Sequence, residues 1–454
     1  MRTHREVERK YEAAPDAKLP TFGGVVAGPH HESLDATYYD TTDLRLIRGG
    51  LTLRRRAGGE DEGWHLKVPV GQDTRDEIHL PLNGKDKPPK EFADLTLGYT
   101  RGAELVPVAR IETARTRWEI TGAEVTDDQV TATKPDADSV VWREIEVEGD
   151  PDVLDKAEKP LRTAGFRRSA LPSKLARVLG TKPTRVEPGR AAGTTVLAYV
   201  AGQLEKIKYY DILVRQDVDD SVHQMRVAIR RLRSALRVYR EVLPSGELDA
   251  ELQWLGRQLS PARDLEVQVA RLAKAVSQLP PELVVGPVQA RLTRHFAPAQ
   301  AKARKDVLKV LRGKRYLRLL DQLDALVNDE LSTKKAGRKA HKELPKHIGK
   351  AEAKVGARLK SGDVHRARKA AKRLRYGLEA AVPALGEPAD EARKRAKAFT
   401  QQAGEYQDSV VAQPLLRTLG MQAHADGENG FTFGLLHARE EANAQQVRRE
   451  LRWG

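Results

Sequence analysis

Charged residues recur at every second position in several short segments of this chain: Glu6, Glu8 and Lys10 in EVERK, Arg54 and Arg56 in RRR, Arg115 and Arg117 in ARTRW, and Glu144, Glu146 and Glu148 in EIEVE. In a β-strand successive side chains point to opposite faces, so each set occupies a single face. Apolar residues take the other face. Val7 lies between Glu6 and Glu8, Leu53 precedes Arg54, and Ile145 and Val147 separate the glutamates. A half-buried strand ordinarily turns such charges to solvent. Several strands with acids on some and bases on others admit a second arrangement, a closed barrel whose polar faces line the interior. There carboxylates hold a cation, and Arg and Lys hold a polyanion.

The strand signal ends near Gly149. Segments such as ATYYDT, GWHLKVPV, RDEIHLPL and VVWREIEVEG alternate with turn clusters at 57–63 and 83–87. Many strands with few helices predict an antiparallel barrel. A helix is expected from Pro151 to a stop at Gly165. The Pro- and Gly-rich stretch 181–193 reads as a linker, giving a first domain over 1–180 and a helical domain over 194–454. Residues 331–350 form a basic segment expected as a loop or weak helix. The halves of the helical domain fall at about 194–330 and 345–454.

Charge divides the same way. Through Gly180 there are 28 Lys and Arg against 32 Asp and Glu; the totals of 79 and 64 leave 51 against 32, a net of +19, for the remainder. A basic domain points to a polyanionic partner: nucleic acid, an anionic lipid surface or inorganic polyphosphate. The absence of cysteine excludes disulfides and thiolate metal sites and fits a cytoplasmic location. No run of eighteen apolar residues occurs, so no membrane span is expected.

The helical part contains an internal repeat. VHQMRVAIRRLRSAL from Val222 returns 142 residues later as VHRARKAAKRLRYGL from Val364. A weaker echo pairs Asp264 with Asp408. Val222, Met225, Ile229, Leu232 and Leu236 form an apolar stripe at helical spacing. Beside it His223, Arg226, Arg230, Arg233, Arg237 and Arg240 form a cationic one, and the second copy carries His365, Arg368, Lys372 and Arg375. Like charges at this spacing repel, and no acid is interleaved between Val222 and Arg240. One copy alone fits a solvated basic face; two matching copies point to an anion. The histidines read as donors to phosphate oxygens. Aromatics make up 5% of the chain, fewer than base stacking calls for. Phosphate contact is therefore favoured, and non-specific nucleic-acid binding through phosphates fits the same charges.

In the first domain the carboxylates are Glu6, Glu8, Glu144, Glu146 and Glu148, with Asp127 and Asp128 in a further strand region. The cations are Lys10, Arg54, Arg56, Lys67, Arg75, Arg115, Arg117 and Lys174. Two carboxylates from each of two neighbouring strands suit Mg²⁺ or Mn²⁺ and leave room for water and phosphate oxygens. Together the sets suit hydrolysis of a phosphoanhydride. The metal polarises the phosphoryl group or activates water, and the cations neutralise developing charge.

ExExK at Glu6–Lys10, RRR, HLKVP around Lys67, TRDEI around Arg75 and Glu77, ARTRW, EIEVE and SKLAR around Lys174 resemble the CYTH family, the triphosphate tunnel metalloenzymes. The helical repeat resembles the CHAD domain, the conserved-histidine α-helical domain. The resemblance implies an α+β multidomain protein. Its N-terminal part would be an eight-stranded antiparallel tunnel binding triphosphate and a divalent metal; its all-α C-terminal part would be two related four-helix bundles binding inorganic polyphosphate. It places Glu6, Glu8, Glu146 and Glu148 at metal-binding positions, and Lys10, Arg54, Arg56, Lys67, Arg117 and Lys174 at phosphate-binding ones. The family often has Asp-x-Gly where this chain reads Asp127-Asp128-Gln129, which leaves the roles of Asp127 and Asp128 open. The expected activity is a metal-dependent triphosphatase acting on inorganic triphosphate or polyphosphate ends, associated with polyphosphate granules. The alternatives are a non-catalytic polyphosphate-binding or granule-targeting protein, and an adenylate cyclase or thiamine triphosphatase using the same tunnel.

Overall fold

Strand alternation from the first residues onward closes into a barrel. The strands are β1 (Arg2–Glu12), β2 (Val25–Asp40), β3 (Thr52–Ala57), β4 (Gly63–Pro69), β5 (Thr74–Leu80), β6 (Val106–Ile120), β7 (Ala123–Thr133) and β8 (Val140–Gly149). They pair in the order β5-β4-β3-β2-β6-β7-β8-β1, and β1 pairs again with β5, so the eight strands leave no open edge. All these pairings are antiparallel. A two-residue strand, β9 (Arg167–Arg168), adds to β1. The computed structural model describes every residue except 15, 23, 136, 332 and 451–454, so the last four residues of the expected helical domain and one residue of the 331–350 segment lie outside the described residues. The chain divides into two units, Met1–Thr184 and Arg185–Gly454.

The barrel turns its charged faces inward and its apolar faces outward. Tyr11, Ile120, Val125, Ile145 and Val147 pack beneath α4 (Pro151–Thr163), against Leu154, Ala157 and Leu161. Three short helices, α1 (Arg45–Arg48), α2 (Lys90–Leu95) and α3 (Leu97–Thr100), lie between strands. Buried Asp40 accepts the backbone N–H groups of Leu46 and Ile47 at 2.8 and 2.9 Å, satisfying donors that α1 leaves unpaired. The last helix of this unit, α5 (Lys174–Leu179), packs differently. Its Leu175, Ala176 and Val178 join Ala36, Tyr38, Ile111, Val130 and Ala132 on the strands' inner face, plugging part of the barrel interior. Ser173 caps α5 by accepting the Ala176 N–H at 3.1 Å, which fixes Lys174 at the first helical position.

β2 extends well beyond the expected ATYYDT segment. Its first half, VVAGPHHE, offers no apolar alternation and is held in place by its pairing with β6.

The second unit consists of α6 (Ala192–Arg215), α7 (Ser221–Val238), α8 (Leu248–Gln258), α9 (Ser260–Ser277), α10 (Val288–Leu311), α11 (Lys314–Asn328), α12 (Ala340–Lys360), α13 (Val364–Leu385), α14 (Glu387–Ala425) and α15 (Phe431–Glu450). Thus α6 begins inside the stretch expected as a linker, and most of the basic 331–350 segment belongs to α12, where Glu343, Leu344 and His347 are buried. The two copies of the repeat are α7 and α13. Where the second half has the single 39-residue α14, the first half has α8 and α9, which meet at Leu259. α10 and α15 follow them, and α11 is additional to the four-helix pattern. The apolar stripes are core: Met225, Ile229, Leu232 and Leu236 in one cluster, Ala367, Ala371, Leu374 and Leu378 in another. No helix among the described residues is long and apolar enough to cross a membrane.

Candidate active site and anion-binding pockets

Residue parity carries the tunnel. Its cavity, about 440 Å³, is lined by Glu6, Glu8 and Lys10 of β1, Arg54 and Arg56 of β3, Lys67 of β4, Arg75 of β5, Arg115 and Arg117 of β6, Glu146 and Glu148 of β8, and Lys174 of α5. Three acids from the sequence set, Asp127, Asp128 and Glu144, are not in this lining. Asp127 faces the opposite way from Asp128 and receives two hydrogen bonds from Arg143, at 2.8 and 2.7 Å. Glu144 is buried beneath Lys174, 2.9 Å from its Nζ.

Most tunnel cations already have a carboxylate. Lys174 Nζ lies 2.7 Å from Glu146 and 2.9 Å from Asp128, and Arg115 donates two bonds to Asp128 at 2.8 and 2.7 Å. Lys10 lies between Glu8 and Glu146, and Arg75 pairs with Glu8. Lys67 donates to Glu6 at 2.6 Å. These contacts decide the ionisation states. Burial alone would raise the Glu146 carboxyl, but Lys10, Lys174 and Arg115 outweigh it and hold Glu146 well below the usual carboxylate range. Glu77 is likewise held low against its burial by the charge of Lys67 and a hydrogen bond from His65. On the cationic side, burial and then the neighbouring Arg54 bring Arg56 down to about 9.

Glu148 behaves in the opposite sense. It stands across from Glu8 on β1 and Glu124 on β7. Burial, then the charges of Glu6 and Glu146, push it up to about 7. Glu6 is also raised, first by burial and then by its hydrogen bond with Glu77. Ligand atoms of His4, Glu6 and Glu148 lie within 4.8 Å of one another. A second group with the same closeness, Asp128, Glu144 and Glu146, is filled by the Lys174 ammonium. The four glutamates expected as one metal set are therefore divided. Among the described residues Glu148 has no ion-pair partner and Glu6 is paired with Lys67, whereas Glu8 and Glu146 are each shared between cations.

In the helical unit the repeat closes on itself. A pocket of about 420 Å³ brings His223, Arg226 and Arg230 of α7 against Arg368 and Lys372 of α13, with Asp264 and Asp408, the two aspartates of the weaker echo, also in its wall. Arg226 donates to the Ser260 carbonyl and hydroxyl at 3.1 and 3.0 Å and lies 3.6 Å from Asp264. Lys372 has neither hydrogen bond nor ion pair among the described residues. Burial, then the charges of Arg368, Arg230 and Arg375, bring it down to about 7. His223 is also lowered, first by burial and then by Arg263.

The remaining seam residues lie elsewhere. Arg233 binds Asp249 and Gln253 at 2.8 and 2.7 Å. Arg375 donates to the Tyr376 hydroxyl at 2.9 Å, His365 faces Gln407 at 3.3 Å, and Arg237 lines a separate pocket.

Residues 4–167 match the CYTH domain and residues 198–417 match the CHAD domain. The chain belongs to both families. An uncharacterized protein of Mycobacterium tuberculosis is 36% identical over 493 aligned positions, covering 99% of this chain and 95% of its own length. Human thiamine-triphosphatase is 34% identical over 109 residues, 24% of this chain and 40% of its own. Among solved structures, the CHAD domain of the plant Ricinus communis is 25% identical and covers 60% of this chain and 99% of its own, with a TM-score of 0.43.

The CYTH tunnel has further ionisable wall residues that the sequence reading left out of the site: His4, Glu32, Glu60, Asp61, Glu77 and Glu124. Parity was the available signal. Glu77 is two residues from Arg75 and directly opposite Lys67, and Glu124 shares its face with Asp128. In the CHAD pocket, Arg263 and Arg271 come from α9, whose sequence has no cationic seam of its own.

Proposed function

We propose that the CYTH unit is a metal-dependent triphosphatase acting on inorganic triphosphate or the end of a polyphosphate chain, and that the CHAD unit binds inorganic polyphosphate in the pocket between α7 and α13. The observation that carries this reading is the division of labour in the tunnel wall. Arg54, Arg56, Arg115 and Arg117 project from β3 and β6, while Glu6 and Glu148 on β1 and β8 form an acidic corner in which, among the described residues, Lys67 on Glu6 is the one lysine or arginine partner and Glu148 is raised to about 7. Guanidinium forks bind and orient phosphate oxygens, and their charge meets the charge that develops on those oxygens during transfer. The acidic corner fits a hard divalent cation, with Glu6, Glu148 and His4 as the residues that would hold it; the imidazole is a better ligand for Mn²⁺ than for Mg²⁺. When bound, such a cation neutralises phosphate charge and lowers the pKa of a coordinated water.

The tunnel wall favours a bare phosphate chain. Among the described residues Tyr38 is its one aromatic side chain apart from His4, so an attached base or thiazolium ring would find little to stack on. The likeness to human thiamine-triphosphatase supports thiamine triphosphate as a second reading. Phosphate release from triphosphate, polyphosphate, ATP and thiamine triphosphate, each with Mg²⁺ or Mn²⁺, separates them. Turnover of triphosphate or polyphosphate, lost in Glu6→Gln, is expected; no turnover of any substrate would leave the tunnel a binding site only. For the CHAD unit, joint replacement of Arg226, Arg230, Arg368 and Lys372 by Ala should abolish polyphosphate retention on a filter and leave triphosphate hydrolysis nearly unchanged. Equal loss of both activities would refute the separation of roles.

A further inference from the structure

The internal repeat exchanges α7 with α13, so each contact between them has a mate 142 residues displaced in both partners. Arg231 of α7 forms an ion pair with Glu379 of α13 at 3.2 Å. In its mate Arg373 replaces Arg231 and Arg237 replaces Glu379. An arginine thus stands where symmetry would supply the carboxylate. Arg237 and Arg373 line one pocket of about 110 Å³ together with Arg240 and with Lys350 and Lys354 of α12. Its lone carboxylate, Glu241, is already bonded by Lys335 and lies 3.1 Å from Lys350. Arg373 has no hydrogen bond or ion pair among the described residues. The nearby Asp249 is occupied by Arg233 at 2.8 Å and lies 3.8 Å from Arg237.

Juxtaposed cations cost free energy that a carboxylate at either position would remove, as the mate contact shows. We infer that this pocket is a second anion site of the helical unit, taking a terminal phosphate group of a phosphate oligomer. The inference rests on the reading of the CHAD unit as a polyphosphate binder and adds a site distinct from its central pocket. Two observations keep the pockets apart. Arg233, between Arg230 and Arg237 on the stripe, is neutralised by Asp249, and the smaller volume suits a single phosphate group better than a length of chain.

The repeat itself supplies the test. Arg237→Glu recreates opposite Arg373 the ion pair that Glu379 makes with Arg231, so this variant should melt no lower than wild type. Titrating the full-length protein with tripolyphosphate in EDTA by calorimetry, we expect Arg237→Glu to lose one binding equivalent, or to weaken it at least about tenfold. The equivalent belonging to the central pocket should remain, and Arg226→Ala/Arg230→Ala should lose that one instead. The same number of equivalents in wild type and Arg237→Glu, with affinities within about twofold, would overturn the inference. The same number in wild type and Arg226→Ala/Arg230→Ala would overturn the central-pocket reading, so the two failures are distinct. Arg237→Ala/Arg373→Ala should repeat the loss seen with Arg237→Glu, and intact binding in that double variant would also overturn the second site.

Discussion

Polyphosphate binding to the CHAD unit should take up a proton, and Lys372 is the group that takes it. An unfolded lysine titrates near 10.4, whereas Lys372 is brought down to about 7 by burial and by Arg368, Arg230 and Arg375. At pH 8 its amine is therefore about nine-tenths neutral. A phosphate chain in the pocket reverses the sign of the local field and restores the ammonium, so binding at pH 8 should absorb about 0.9 proton, falling to about 0.1 at pH 6. Calorimetry in two buffers of different ionisation enthalpy reads this number directly. Terminal phosphates of the ligand titrate in the same range, but they contribute equally with Lys372→Met, so the difference between the two proteins isolates the lysine. The same shift predicts a stability profile for the ligand-free protein. The unfolded chain binds more protons between pH 7 and pH 10.4, so stability rises through that window, and the penalty of the buried charge is at its full value below pH 7. Lys372→Met should thus be more stable than wild type at pH 6, by at most about 5 kcal/mol before allowance for the solvent that reaches the pocket, and should lose the advantage by pH 10.5. Equal proton uptake in the two proteins, or no stability gain at pH 6, would refute the reasoning.

Glu148, raised to about 7, gives a profile of opposite slope. In EDTA the folded protein holds its proton longer than the unfolded chain, so stability should fall by up to about 3 kcal/mol from pH 4.5 to 7 relative to Glu148→Gln, read from urea midpoints. Added Mn²⁺ should raise the melting temperature more at pH 8 than at pH 5 in wild type and have little effect on the variant. Arg115→Lys replaces a fork on fully buried Asp128 with a point charge and should cost about 1–3 kcal/mol in urea denaturation; an unchanged midpoint would mean that Lys174 alone satisfies Asp128. The buried Tyr239 hydroxyl donates to the Gly377 carbonyl at 2.6 Å, joining α7 to α13, so Tyr239→Phe should cost about 1–2 kcal/mol by the same measure. Raising salt should weaken polyphosphate retention more steeply than it raises the KM for triphosphate, because Lys372 and Arg373 are unpaired while most tunnel cations already have partners.

Two periodicities made much of this architecture legible, and each stopped at a definable point. Period two placed Glu6, Glu8, Lys10, Arg54, Arg56, Glu146 and Glu148 on single faces, and barrel closure turned those faces toward one another. The same parity separates Asp128 from Asp127, but which of the two faces inward depends on the pairing of β7 with β6, where Arg115 meets Asp128. Partner identity was not legible. Nothing in EIEVE says that, among the described residues, Glu146 pairs with three cations and Glu148 with none, because Lys174 arrives from a helix that packs inside the barrel. On α7, period 3.6 aligned His223 through Arg237 on one stripe but could not say how many sites that stripe serves. Eighteen residues rise about 27 Å, longer than one pocket is wide, and the stripe is interrupted where Asp249 and Gln253 of α8 reach Arg233.

The two units concentrate positive charge by opposite means, and this bears on what each can bind. In the tunnel most cations are matched by carboxylates within the wall, so an incoming phosphate chain must exchange partners with Glu8, Glu77 or Glu146 and gains only the difference. Such a site discriminates, since a singly charged anion offers too little to displace an ion pair, while a chain bound together with a divalent cation satisfies both walls at once. In the CHAD pocket burial and repulsion have already weakened Lys372, and a bound polyanion would relieve a cost that the folded protein carries. That relief does not depend on where along a phosphate chain contact is made. A region with net charge +19 and unpaired cations is therefore suited to holding any stretch of a polyanion, and the near-neutral tunnel to admitting only a matching end.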